Sequence, residues 1–109
     1  MSVYKILRAE EWTALQEAAR SDGSSDDVRD GYVHLSTAPQ VPETLARHFE
    51  GEEGLWILEI EEAALGSDLR WEPARDGDPF PHLYRALELR DVQRAEPVHR
   101  GEPLPFGLA

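Results

Sequence analysis

Asp30-Gly31-Tyr32-Val33-His34-Leu35-Ser36-Thr37 is the stretch on which a reading of this chain turns. From Gly31 onward, Tyr32, His34 and Ser36 alternate with Val33, Leu35 and Thr37, the period-two signature of a strand with one polar side. His34 and Ser36 therefore share a face. Thr37 or Ser36 suits the cap of a following helix, in which Val41, Leu45 and Phe49 mark an apolar stripe and Pro42 falls within the first turn, where its missing N–H is harmless. Gly51 and Gly54 bracket the end of that helix. On the other side, Ser21 to Asp30 has almost nothing to bury and reads as an exposed loop.

Working outward, Val3 to Leu7 is a short apolar run with strand character, and Ala9 to Arg20 places Trp12, Leu15 and Ala19 at helical spacing. Leu55 to Ile60 is nearly continuous in apolar residues, so its length and isoleucine content favour a buried strand. Leu69 to Glu72 alternates again, with Leu69 and Trp71 opposite Arg70 and Glu72. Asp76 to Pro81 holds Gly77, Pro79 and Pro81 and predicts a rigid irregular turn just before His82-Leu83-Tyr84. Val92 to Val98 is a late strand, and Gly101 to Ala109 an extended tail packed by its apolar residues. Strands outnumber helices and two helices come early, which defines an α+β class in one domain over residues 1–109.

Composition narrows the function classes. With 40% hydrophobic and 30% charged residues the chain has enough apolar material for one core. The absence of cysteine excludes disulfides, thiolate metal sites and a cysteine nucleophile, and fits a cytoplasmic location. No basic flank with an apolar run opens the sequence, and no stretch of about 18 apolar residues occurs in it. Twenty-two acidic against 11 basic residues give a formal charge of -11, a mean field that repels phosphate backbones and argues against general nucleic-acid binding while favouring solubility. Arg70, Arg75 and Arg85 are close enough in sequence to form a local basic pocket for one small phosphorylated ligand.

The four histidines, His34, His48, His82 and His99, lack the spacing that sets two ligands on one helical face, so no side-chain metal site is expected. His34 stands apart because a hydroxyl, Ser36, sits two residues on along the same face. An imidazole beside a hydroxyl can hydrogen-bond a ribose, and the imidazole can act as acid or base near neutral pH. The plainer reading is a half-buried histidine with satisfied nitrogens. No elbow turn or carboxylate marks a serine hydrolase. Glu72 beside Trp71 is either a shifted acid or an edge-strand carboxylate paired with Arg70 or Arg75. His82 and Tyr84 share a strand face, and both motifs are expected to point into one cavity. Trp12, Trp56 and Phe49 read as core.

The run Tyr4-Lys5-Ile6, Trp12, Asp30 to Thr37, Gln40 to Thr44, Trp71-Glu72 and Phe80-Pro81-His82-Leu83-Tyr84 resembles, in order and over nearly the whole chain, the bacterial domain-of-unknown-function family numbered nine hundred and fifty-two. That family has no settled biochemical function, and it is similar to the ADP-ribosyltransferase-like superfamily. The resemblance implies two antiparallel sheets around a cleft that holds NAD or another small nucleotide. The strand Tyr32 to Ser36 is similar to the corresponding strand of RNA 2′-phosphotransferases. By the same resemblance His34, Glu72 and His82 are catalytic candidates, while Lys5, Ser36, Thr37 and Tyr84 are ligand-binding candidates, Lys5 standing where the superfamily motif has His. The expectation is an NAD-dependent or nucleotide-binding enzyme. The alternative is a non-catalytic binding or interaction module in which these residues shape a pocket.

Overall fold

The computed structural model describes residues 1–74 and 77–108. Arg75 and Asp76, which belong to the expected basic cluster and to the expected turn, lie outside the described residues, as does Ala109. The apolar run that begins the chain forms β1 (Ser2–Arg8), which pairs antiparallel along its whole length with the equally apolar β4 (Leu55–Glu61), from Ser2 opposite Glu61 to Arg8 opposite Leu55. β4 also pairs with β8 (Val92–Pro97), giving the order β1-β4-β8. Central position explains the composition of β4: Ile57, Leu58 and Ile60 are fully buried.

A second sheet has the order β3-β6-β5, with β3 Val33–His34, β6 Pro79–Leu83 and β5 Leu69–Pro73. A two-residue ladder joins β2 (Arg20–Ser21) to β7 (Leu87–Glu88). Every pairing is antiparallel, as an α+β class requires. Helices α1 (Ala9–Ala18), α2 (Ser25–Asp30), α3 (Val41–His48) and the short α4 (Glu62–Leu65) fill the connections. Val33, Leu35 and Leu83 of the second sheet bury against Val3, Leu7, Leu58 and Ile60 of the first and Leu15 of α1. A second cluster packs Tyr4, Ile6 and Ile57 against Val41 of α3 and against Leu104 and Phe106 of the tail.

The chain changes sheets within one short segment. Val33 and His34 pair with Leu83 and His82, the Leu35 N–H donates to Pro81 O at 3.0 Å, and Ser36 then exchanges two backbone hydrogen bonds with Tyr4 of β1, at 2.8 and 2.9 Å. The expected strand from Gly31 to Thr37 is thus two short pieces shared between sheets.

Other expectations need correcting. Ser21 to Asp30 is no exposed loop: it contributes β2 and then α2, and Asp27 within it is among the most buried residues of the chain. Ser24 and Asp27 bond to each other, and Asp27 reaches Lys5 and His34, while Asp22, Ser25, Asp26 and Arg29 stay exposed. Three helices therefore precede residue 50 where two are expected, and α1 stops at Ala18 because Arg20 and Ser21 are drawn into the ladder with β7. Pro79, Phe80 and Pro81 lie in β6 rather than in a turn. The prolines serve there as acceptors, Pro81 from Leu35 and Pro79 from the Gln40 side-chain amide at 2.9 Å.

Candidate functional site

β3 and β6 place His34 directly opposite His82, and β5 places Arg70 opposite His82 on the next strand. The same face carries Glu72 and Tyr84, two residues along their strands, because strand side chains repeat every second residue. The opposite face supplies Val33, Leu35 and Leu83 to the core. The motif's alternation thus separates a polar row from the core.

Asp27 anchors the row. Its Oδ1 accepts from the His34 N–H at 3.0 Å and lies 2.6 Å from His34 Nδ1, and its Oδ2 accepts from Lys5 Nζ at 2.7 Å and from the Ser24 N–H at 2.9 Å. Burial by itself would raise this carboxyl, but the His34 hydrogen bond and the Lys5 ammonium override it and hold it well below the usual carboxylate range. A carboxylate only accepts, so His34 Nδ1 carries a proton. The other ring nitrogen, Nε2, lies 3.1 Å from Asp30 Oδ2 at the last turn of α2. Asp30 is also held low, first by its hydrogen bond from Arg29. Lys5 is buried, and its Nζ also donates to His34 O at 3.1 Å.

A second pair lies beside the first. Glu72 Oε1 is 2.8 Å from His82 Nδ1 and accepts from the Tyr84 hydroxyl at 2.6 Å. These two donors, Tyr84 first, lower the Glu72 carboxyl, and the same bond raises Tyr84. Tyr32 stacks flat on His82, with centroids 4.1 Å and planes 8° apart, and tilts against His34 at 4.6 Å. The His34 and His82 rings meet edge to face at 5.5 Å. Arg70 lies over Tyr84, 4.7 Å from its centroid.

A cavity of about 330 Å³ opens between this face, α2 and α3. Lys5, His34, Ser36 and His82 line it, together with Asp27, Asp30, Tyr32 and Thr44. Ser36 Oγ lies 3.1 Å from Thr44 Oγ1, a hydroxyl pair at the α3 side. Glu72 and Tyr84 stand behind His82, outside the lining. Thr37 is elsewhere: it opens the turn Ala38–Gln40 that leads into α3, its N–H donating to Gln40 Oε1 at 3.0 Å. Arg85 does not join a basic pocket with Arg70, because its guanidinium is held by Asp91 at 2.8 Å. Among the described residues no cluster of three metal-ligating side chains occurs. Asp27 is the site residue that sequence reading missed. Its signal was the spacing Ser24-x-x-Asp27, a capping pair followed by Gly31 at the helix end.

Fold and site together define a small α+β domain whose antiparallel sheets carry two histidine–carboxylate pairs side by side at a cavity wall. Residues 6–95 match the family described as "Protein of unknown function (DUF952)", and the chain belongs to that family. It is similar to the crystal structure of protein CC0527 from Caulobacter crescentus, with 43% identity over 89% of this chain and 85% of that one and a TM-score of 0.86. The solution structure of CC0527 is similar as well, at 44% identity over 88% and 83% of the two chains, with a TM-score of 0.79. Comparison with curated proteins gives no match.

Proposed function

We propose that the cavity binds a small nucleotide or related phosphorylated ligand, with His34 as its central polar contact, in a domain of ADP-ribosyltransferase-like character. The observation that carries this reading is the buried Lys5–Asp27 pair that fixes His34 Nδ1 and turns the rest of the ring toward the cavity wall. A structural histidine needs no such rigid support, whereas a ligand-contacting one gains from it. The volume, about 330 Å³, is at the small end of ligand sites, which run from roughly 300 to 1,000 Å³. It suits one nucleotide unit, so a dinucleotide such as NAD would leave its second half at the rim. Ser36 and Thr44 offer hydroxyls to a ribose, and Tyr32 and Phe80 offer flat apolar surface.

The second reading, a non-catalytic module, is favoured by the Nε2–Asp30 contact, which occupies the ring without a ligand. The two are separated by melting curves with NAD, ADP-ribose and AMP, since a ligand at about 100 times its Kd adds about 2.7 kcal/mol. We expect a shift with at least one of them, and weakening of that binding by roughly 1–3 kcal/mol in His34→Ala. The variant should lose only about 1 kcal/mol of stability, because Asp27 keeps Lys5 and two backbone N–H donors. A larger loss of stability with no ligand effect would favour the module.

A further inference from the structure

We propose that His82 sets which end of a ligand enters the cavity: its Nε2 accepts an N–H or O–H donor from the base or ribose of a nucleotide, and the phosphate is turned toward the mouth. This rests on the reading of the cavity as a nucleotide site. Glu72 Oε1 lies 2.8 Å from His82 Nδ1, and a carboxylate only accepts, so the proton is fixed on Nδ1 and Nε2 keeps a lone pair. The same Oε1 accepts from the Tyr84 hydroxyl at 2.6 Å, and Tyr32 lies flat on the imidazole with planes 8° apart. Three residues thus hold the tautomer and the plane of one ring. No described residue bonds Nε2, although His82 is only 5% exposed. Among the described residues no fully buried side-chain nitrogen or oxygen lacks a partner, so Nε2 is reached by solvent, through the cavity that His82 lines. A buried histidine that serves packing alone has its polar atoms bonded within the protein. Here one nitrogen is held from behind and the other is left for a molecule in the cavity.

The surroundings of that nitrogen select a donor over an anion. His34 has a carboxylate at each ring nitrogen, Asp27 at 2.6 Å and Asp30 at 3.1 Å, and Glu72 stands behind His82. Three carboxylates and a lone pair, offset in part by the Lys5 ammonium, disfavour a phosphate beside the histidines and accept a neutral hydroxyl or amine. A buried acceptor also discriminates, since a ligand without the donor leaves it unpaired. Exposure gives the depth of each group: the His82 side chain is 6% exposed, whereas those of Arg29 and Arg47, which line the same cavity, are 68% and 38% exposed. The guanidiniums stand at the mouth in ion pairs with Asp26 and Glu43, and such exposed pairs are weak enough for a phosphate to exchange with them. Glu72 and Tyr84 are positioning residues in this arrangement, because they act on the ligand only through the His82 ring.

The test follows the ring nitrogens of the four histidines in long-range proton–nitrogen NMR spectra of the labelled chain at mildly alkaline pH, with melting curves in parallel. In the free protein His82 should show a protonated Nδ1 and a bare Nε2; a protonated Nε2 overturns the proposal. Saturating AMP should move Nε2 upfield, as a nitrogen does on accepting a hydrogen bond, and sulfate, an anion without a donor, should leave it in place. Two analogues identify the donor: purine riboside monophosphate lacks the base amine, and dideoxy-AMP lacks the ribose hydroxyls. The analogue that fails to move Nε2 names the group, and equal movement with both overturns the proposal. Glu72→Ala releases the tautomer, so Nε2 should become partly protonated and AMP should bind about tenfold more weakly, the worth of one hydrogen bond. An unchanged tautomer in that variant removes the positioning role of Glu72. A melting shift with AMP while Nε2 stays put overturns the proposal and leaves the nucleotide reading standing, whereas no shift of either kind overturns both.

Discussion

Asp27 is the residue on which the site depends, and its cost and benefit follow from four donors meeting one buried carboxylate. An ion pair removed from water returns little net stability, yet breaking one from a single side is expensive, since the remaining charge stays buried without compensation. Asp27→Asn keeps the shape and removes the charge opposite Lys5, which is 6% exposed. We expect it to cost about 3–5 kcal/mol in urea denaturation, and a loss below about 1 kcal/mol would show that Lys5 finds water or another partner. By contrast the exposed pairs of Arg29 with Asp26 and Arg47 with Glu43 rank near zero in the same terms. The buried pair also commits two of the three donors of the Lys5 ammonium, one to Asp27 and one to the carbonyl of His34.

At the scale of elements, α2 is the seat that delivers Asp27 and Asp30 to His34, and its approach runs through Gly23. Gly23 has φ +95, and a Cβ built there would collide with the Asp27 side chain. Gly31, at the far end of the same helix, has φ +85 with open space around it. Substituting each by alanine therefore separates two effects. Gly31→Ala should lose only the backbone preference, about 1 kcal/mol, whereas Gly23→Ala should lose that and displace the carboxylate, which thermal melts would register as a clearly larger drop. Equal drops would mean that Asp27 moves aside freely. This helix is also where sequence reading fell short. Strands β1, β4, β5 and β8 and helices α1 and α3 were legible because a hydrophobic period marks each of them. α2 carries no such period: Val28, its one large apolar residue, is 64% exposed, and its buried side chain is an aspartate. A helix held by polar contacts to the site leaves only its cap as a trace. The prolines of β6 misled in the other direction, since a missing N–H matters little where the carbonyls carry the pairing.

For the whole molecule, the acidic balance has a direct consequence for pH. Three buried carboxyls are held low: Asp27; Glu59, by the Arg94 hydrogen bond first; and Asp91, where Arg85 outweighs a burial effect that would raise it. A carboxyl whose folded pKa lies below its unfolded one adds stability above the unfolded value, near 4, and loses it as pH falls through the folded value. The melting temperature should thus vary little from pH 7 to about 5 on account of these groups and fall steadily below about 4. Asp27→Asn, starting lower, should show a shallower acid limb; an identical slope would mean that Asp27 contributes nothing to acid sensitivity. The charge of -11, meanwhile, spreads over a surface whose arginines are largely paired with neighbouring acids, so the net excess remains for solvent. One feature of the backbone sets how the two sheets behave as bodies. Residues 33–36 leave one sheet and enter the other, bonded to β6 at one end and to Tyr4 at the other. In mechanical terms this segment is a hinge pin shared by two plates, and His34 sits at its second-sheet end, directly opposite His82. Because the same short segment is bonded to both sheets, the setting of the His34 ring is tied to how the two plates lie against each other.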